Sequence, residues 1–161
     1  MKTLLLMRHC QTKGGTARLA DKHRALTSQG RDDARRMGTA LQREGLVPQL
    51  VIHSTAHRAV QTASLVAGAL GIEGLLIAVP QLYAAGSDSY LEEIQLLSDD
   101  VGVALLVGHN PAVTRLAIRL HGEGLAVAHF PSGAVAGFEF PGDSWSAIRY
   151  SQGHCRWYHS P

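Results

Sequence analysis

The chain has 161 residues, of which 45% are hydrophobic and 17% charged, and its 15 lysines and arginines against 13 aspartates and glutamates leave a net charge of +2. This small charge excludes the basic footprint of a duplex-binding protein, and the apolar content excludes a disordered chain. The two cysteines cannot build a disulfide framework, and the apolar runs stop well short of the ~20 residues that cross a membrane. We therefore expect one cytoplasmic domain over residues 1–161 with no nucleic-acid or membrane partner.

The apolar pattern predicts an alternation of strands and helices. Short unbroken apolar runs, typical of strands covered on both faces, lie at residues 3–7, 50–52 and 103–107. A further strand, third in chain order, is expected over residues 74–79. Residues 11–24 are rich in glycine, threonine and charge and are expected to form a loop.

Four helices are expected between and after these strands, each beginning at a residue that can cap it. The expected N-caps, in chain order, are Thr27, Ser54, Ser87 or Asp88, and Asn110. Asp32 and Asp33 are expected in the first turn of the first helix, and Gly71 ends the second. Pro111 is expected at the first helical position of the fourth.

The end of the chain predicts a β-hairpin. Residues 133–140 and 145–150 read as strands on either side of the turn signal at residues 141–144. Alternating strands and helices followed by such a hairpin predict a three-layer α/β/α sandwich with a mostly parallel central sheet.

Basic and histidine residues follow three of the predicted strands. Arg8 and His9 come after the first, Arg58 lies in the first turn of the helix after the second, and His109 comes after the fourth. Each of them alone has an ordinary explanation as a surface or capping residue. The carboxyl ends of parallel strands meet at one edge, however, beside helix N-termini that attract anions, so together they predict a phosphate pocket that uses no metal.

Four segments resemble motifs of the histidine phosphatase superfamily, the phosphoglycerate-mutase-like enzymes. Residues 6–9 resemble its Arg-His signature, and residues 24–30 are similar to its R-x-L-T-x-x-G segment. Residues 54–63 match S-x-x-x-R-A-x-Q-T-A, and residues 107–111 match its second-histidine turn. The short length resembles the small branch typified by the protein-histidine phosphatase SixA. The resemblance implies a phosphoglycerate-mutase-like fold and a hydrolase without cofactor.

The same resemblance, together with the chemistry of the residues, implies a covalent mechanism. His9 would attack phosphorus as a neutral imidazole, and water would then release phosphate. The donors expected around the phosphoryl oxygens are Arg8, Arg58 and His109, with Arg24, Ser54 and Asn110 as further substrate-binding residues.

Two positions depart from the family pattern. Cys10 stands where the family usually has glycine, either as a small wall residue or as a redox-active thiol. The family's glutamate after the third strand is missing, and Asp21, Asp88 and Glu92 are the possible substitutes for it as acid or base. A missing acid favours phosphohistidine, because an imidazole leaves more readily than an alkoxide.

Other functions stay open at this point. The enzyme could act on phosphohistidine in proteins or on small phosphate monoesters, since we expect a shallow site with little chain left for a lid. A metal-dependent hydrolase could use some of the nine histidines, although His121, His129, His154 and His159 lack zinc-binding spacing. A phosphate-binding module without turnover would keep the same basic residues.

Overall fold

A six-stranded sheet forms the middle of the molecule in the computed structural model, which describes residues 1–14 and 18–161. Its strands are β1 (Lys2–Arg8), β2 (Leu50–His53), β3 (Leu76–Ala78), β4 (Val103–Gly108), β5 (Val135–Phe140) and β6 (His154–His159). They lie in the order β3-β2-β4-β1-β5-β6; the first four are parallel, β5 pairs antiparallel with β1, and β6 pairs antiparallel with β5. This is the mostly parallel sheet with a C-terminal antiparallel pair that the sequence predicts.

Helices cover both faces of the sheet. They are α1 (Arg18–His23), α2 (Ser28–Arg43), α3 (His57–Leu70), α4 (Ser87–Gln95) and α5 (Ala112–His121). Leu4, Leu6 and Leu106 of the central strands belong to one buried cluster, which includes residues of α4 and α5. Their neighbours Leu5 and Leu105 belong to the other, with residues of α2 and α3. Because successive side chains of a strand point to opposite faces, the continuous apolar runs fill two cores and produce the three-layer α/β/α sandwich.

Several element boundaries differ from the expectations. The loop expected at residues 11–24 contains α1, and its residues 15–17 lie outside the described residues. The helix expected after Thr27 is α2, which begins at Ser28 and is capped by the Thr27 hydroxyl as expected, so Asp32 and Asp33 lie in its second turn rather than its first. The strand expected at residues 74–79 is shortened to β3, because a 3₁₀ turn takes up residues 73–75.

The other expected N-caps lie near the helix ends but not at the capping position. Ala56 precedes α3, Gly86 precedes α4 and Pro111 precedes α5. Ser54 instead accepts from the backbone N–H of Ala56 and contacts a side chain described below. The side chain of Asn110 accepts from the backbone N–H of Thr114, in the first turn of α5.

The prediction of a second hairpin strand at residues 145–150 is wrong. Residues 145–147 form a 3₁₀ turn, and β6 begins only at His154. Trp145 is fully buried, its backbone N–H donates to Asp99 and its ring Nε1 donates to the carbonyl of Val101. These contacts hold the segment against the residues that lead into β4, where it cannot pair with β5.

Candidate active site

The edge where β1, β2 and β4 end brings the predicted residues together. The backbone N–H of His9 donates to the carbonyl of Gly108 at 2.9 Å, and that of Ser54 donates to the carbonyl of Val107 at 3.1 Å. The ends of the three strands are therefore in register, as the rule for parallel sheets predicts. Helices α3 and α5 begin directly beyond this edge.

His9 lies at the floor of this edge and is only 8% exposed. Its Nδ1 lies 2.8 Å from the carbonyl oxygen of Cys10, and since a carbonyl only accepts, Nδ1 carries the ring proton. Burial, and then the positive charges of Arg58 and Arg8, lower the pKa of His9 to about 4. The ring is therefore neutral at neutral pH, with the lone pair on Nε2.

His109 is held by two hydroxyl groups. Its Nε2 lies 2.7 Å from the Oγ of Ser54, and its backbone N–H donates to the hydroxyl of Tyr90 at 3.0 Å. Burial, together with the neighbouring His9 and Arg58, lowers the pKa of His109 to about 3, so this ring is neutral as well. Ser54 is fully buried, and its hydroxyl orients the histidine.

Arg8 is tied to the loop that precedes β5. Its Nη1 donates to the carbonyl of Phe130 at 3.0 Å, and the side-chain amide of Asn110 donates to the same carbonyl at 2.9 Å. The other end of that amide accepts from Thr114, so both of its polar ends are bound to protein groups. Asn110 therefore supports the loop beside Arg8, and its expected role in substrate binding stays a prediction.

Arg58 is buried and paired with Asp21. Its Nη1 donates to the Asp21 backbone carbonyl at 2.7 Å and its Nη2 to the Asp21 carboxylate at 3.2 Å. The same carboxylate accepts from Arg24 at 2.7 Å and from the hydroxyl of Tyr83 at 3.1 Å. Burial alone would raise the pKa of Asp21, but the hydrogen bond from Arg24, the charge of Arg58 and the Tyr83 hydroxyl together hold it below its usual range.

Three buried nitrogen atoms at this edge have no hydrogen-bond partner. In the part of the chain that the structure describes, they are the only buried side-chain nitrogen or oxygen atoms of this kind: Arg8 Nε, Arg58 Nε and His109 Nδ1. A buried polar group without a partner costs about 1–3 kcal/mol, so native proteins keep few of them. All three belong to residues that the sequence assigns to phosphoryl binding.

Cys10 is a wall residue. Its φ is not positive, so the backbone there does not require glycine, and its side chain is fully buried in the core under α2 and α3. Its backbone N–H donates to Thr62, whose hydroxyl in turn donates to the carbonyl of Arg58. Burial raises the pKa of the Cys10 thiol to about 12, which leaves it protonated and unsuited to redox chemistry.

Two of the expected acids lie away from this group. Asp88 pairs with Arg119 and accepts from the hydroxyl of Tyr150, and Glu92 is exposed on α4. Tyr83 and Tyr90, which contact Asp21 and His109, were missed because neither lies in a recognisable motif. Thr62 lies within the motif at residues 54–63, four residues after Arg58 on the same helix face, and this spacing could have revealed it.

Residues 1–14 and 18–161 contain no group of three or more His, Cys, Asp or Glu side chains placed to hold a metal ion. Within the same ranges, no helix has both the length and the apolar character needed to cross a membrane.

Comparisons with known sequences agree with this geometry. Residues 4–79 match the model of the histidine phosphatase superfamily (branch 1). An uncharacterized protein of Mycobacterium leprae is 32% identical over 121 residues, which cover 73% of each chain. Another, from Mycobacterium tuberculosis, is 33% identical over 126 residues and covers 73% of this chain and 77% of its own.

Solved structures share the whole fold. One assigned to the phosphohistidine phosphatase SixA of Nakamurella multipartitia has a TM-score of 0.85 at 25% identity and covers 99% of this chain and 96% of its own. The protein histidine phosphatase SixA in complex with tungstate has a TM-score of 0.82 at 24% identity, covering 98% and 96%.

Proposed function

The chain belongs to the histidine phosphatase superfamily and is a phosphatase, and we propose that it works through a covalent phosphohistidine on His9. The Nε2 lone pair of His9 attacks phosphorus in line, and the bond to the leaving group breaks. Water then attacks the phosphorylated His9, so that phosphate leaves and the neutral imidazole is restored.

The observation that carries this proposal is the set of three buried nitrogens without a partner. Arg8 Nε and Arg58 Nε each carry an N–H. We assign the ring proton of His109 to Nδ1, with Nε2 accepting from the Ser54 hydroxyl, which leaves a third N–H at this edge. Three N–H groups match the three equatorial oxygens of a transferring phosphoryl group, where charge is carried in the transition state.

For the substrate, we propose phosphohistidine in proteins. An alkoxide leaving group needs a proton from an acid, and Asp21 is ionised because its pKa is held below the usual range. Asp88 is tied to Arg119 and Glu92 is exposed on α4, so neither supplies the proton. An imidazole leaving group depends less on such an acid, and the structural relatives SixA are described as phosphohistidine phosphatases.

The mechanism is tested by replacing the nucleophile. His9→Ala should lose the phosphoenzyme, seen as one added phosphoryl mass under alkaline conditions, and more than ~1,000-fold of kcat with p-nitrophenyl phosphate. His154→Ala, an exposed histidine on β6, is the matched control and should keep both. A phosphoenzyme in His9→Ala, or loss of wild-type activity with EDTA, would refute the covalent metal-free mechanism.

The substrate is tested by competition. Equal concentrations of a phosphohistidine peptide, a phosphoserine peptide and a sugar phosphate are compared by kcat/KM. The phosphohistidine peptide should be the best substrate. A preference for the sugar phosphate would instead support a small-molecule phosphomonoesterase, and binding of phosphate without turnover of any substrate would support a binding module.

A further inference from the structure

Asp21 lies at the mouth of the site rather than at its floor. Its side chain is 35% exposed, whereas that of Arg58, to which it is paired, is 8% exposed. The carboxylate also contacts Tyr83, whose ring meets that of His109 edge-on at a centroid distance of 6.0 Å. The charge of the Asp21 carboxylate raises the pKa of His109, against the larger lowering effect of burial. Asp21 therefore lines the same opening as the three unpartnered nitrogens.

The geometry of in-line displacement places the leaving group at this opening. The nucleophile His9 is buried at the floor, so the bond that breaks must point away from it, toward solvent. The side chains grouped around the Asp21 carboxylate at this opening are Tyr83 and Arg24, with Lys22, whose ammonium lies 5.4 Å from the centre of the Tyr83 ring. Among these four groups, Asp21 is the only anion.

A negative charge at this place suits one kind of leaving group. Phosphohistidine protonated on its distal ring nitrogen carries a positive charge on the imidazole, whereas a phosphate ester develops negative charge on the departing oxygen. When the P–N bond of the protonated substrate breaks and the bond from His9 Nε2 to phosphorus forms, the electron pair goes to the leaving nitrogen. The ring keeps its distal proton and departs as neutral imidazole, so no proton donor is needed.

We propose that Asp21 is a specificity-determining residue whose carboxylate accepts a hydrogen bond from the distal N–H of the leaving imidazole and so selects phosphohistidine over phosphate esters. This inference rests on the proposed function and deepens it. The same ionisation that makes Asp21 useless as an acid supplies the fixed charge that the imidazolium requires. Four donors reach the carboxylate, Nε and Nη2 of Arg24 at Oδ1 and Nη2 of Arg58 and the Tyr83 hydroxyl at Oδ2, so the imidazole N–H is accepted in place of the Tyr83 hydroxyl. The other charged or titratable groups near it are Lys22, beyond Tyr83, and His109, on which the carboxylate charge acts.

The test is the ratio of kcat/KM for a phosphohistidine peptide to kcat/KM for p-nitrophenyl phosphate. The leaving group of the second substrate, p-nitrophenolate, departs as an anion. Asp21→Asn should lower this ratio by about tenfold or more, because an opposite charge at hydrogen-bonding range favours a protonated partner by 1–3 pKa units. If Asp21 only holds Arg58 in place, both substrates lose equally and the ratio stays constant.

Asp88→Asn is the matched control. Asp88 pairs with an arginine, Arg119, and a tyrosine hydroxyl, that of Tyr150, as Asp21 does, but on α4 away from the site. Its substitution should leave the ratio unchanged.

The pH profile supplies a second readout that a structural role would not move. For the phosphohistidine peptide, kcat, which reports the enzyme–substrate complex, should fall at high pH as the distal nitrogen loses its proton, and Asp21→Asn should move this fall to lower pH by about 1 unit or more. The high-pH limb for p-nitrophenyl phosphate should stay in place.

The outcomes separate the two proposals. A wild-type enzyme that turns over p-nitrophenyl phosphate through His9 but not phosphohistidine would overturn the proposed substrate. A wild-type preference for phosphohistidine that survives in Asp21→Asn, with an unshifted pH profile, would overturn the role of Asp21 alone.

Discussion

The imidazole rings of His9 and His109 face each other with their centroids 5.1 Å apart and their planes tilted by 57°. Burial is the main cause that lowers the pKa of both, to about 4 for His9 and about 3 for His109. Both rings are therefore neutral at neutral pH. One can offer a lone pair to phosphorus while the other offers an N–H, and these are the two roles that phosphoryl transfer to a histidine requires.

This pair should make the protein less stable in mild acid. In the unfolded chain each histidine binds a proton near pH ~6.5, but in the folded protein only near pH 4 or 3. Between these limits the unfolded state binds more protons, so the free energy of unfolding falls as pH falls, by up to ~1.4 kcal/mol per pH unit and histidine. Urea denaturation between about pH 7 and pH 5 measures the slope.

The control for this pH dependence is a double variant. His9→Gln with His109→Gln should give a flatter dependence of the unfolding free energy on pH. If the slope of the unfolding free energy against pH is unchanged in this variant, groups other than His9 and His109 take up the protons on unfolding.

Ser54→Ala should weaken catalysis by misorienting His109. The variant loses the hydroxyl 2.7 Å from Nε2 and with it the contact that places the ring proton on Nδ1. A hydrogen bond of this kind contributes about 0.5–1.5 kcal/mol, so kcat/KM should fall by up to about 10-fold. The control is Ser87→Ala, which removes a different buried serine hydroxyl, on α4. An equal loss of kcat/KM in both variants would speak against a specific role of Ser54.

Arg58→Lys should be nearly as damaging as Arg58→Ala. Lysine keeps the positive charge but has no Nε–H beside a planar fork, so it cannot hold Asp21 and donate to a phosphoryl oxygen at once. We expect a loss of about 100- to 1,000-fold in kcat, typical of removing one donor to a transition-state oxyanion. Arg119→Lys serves as the comparison and should keep wild-type kcat. Full activity in Arg58→Lys would show that charge alone is sufficient.

Gly108→Ala should damage both stability and the site. An added Cβ would lie 2.5 Å from Tyr90 Cε2 and 2.6 Å from its hydroxyl oxygen, in a fully buried place. Overpacking of this kind costs about 1–3 kcal/mol, and moving Tyr90 removes the acceptor of the His109 backbone N–H. Thermal denaturation and kcat/KM measure the two effects. Gly86→Ala, with no atom within 4 Å of the added Cβ, should change neither, and equal stability of the two variants would contradict the packing argument.

Part of this structure was predictable because its signals are local. Thr27 caps α2 by accepting from the backbone N–H of Gly30, only three residues later. The continuous apolar runs of β1 and β4 indicate strands buried on both faces, whatever the rest of the chain does. The prediction of a strand at residues 145–150 was wrong because the structure there depends on distant contacts. Its turn signal is local, but the burial of Trp145 depends on Asp99 and Val101, more than 40 residues earlier.

The residue types that end the three central strands can be read from the sequence, and with them the meeting of arginines and histidines at one edge. Parallel strands impose that convergence without reference to side-chain detail. What each group does at that edge depends on contacts made in the folded chain. Asp21 is held ionised by its neighbour Arg24 and also by Arg58 and Tyr83, 37 and 62 residues away, and Ser54 contacts His109 instead of capping α3. Protonation state and hydrogen-bond direction depend on such distant neighbours, and no local pattern in the sequence records them.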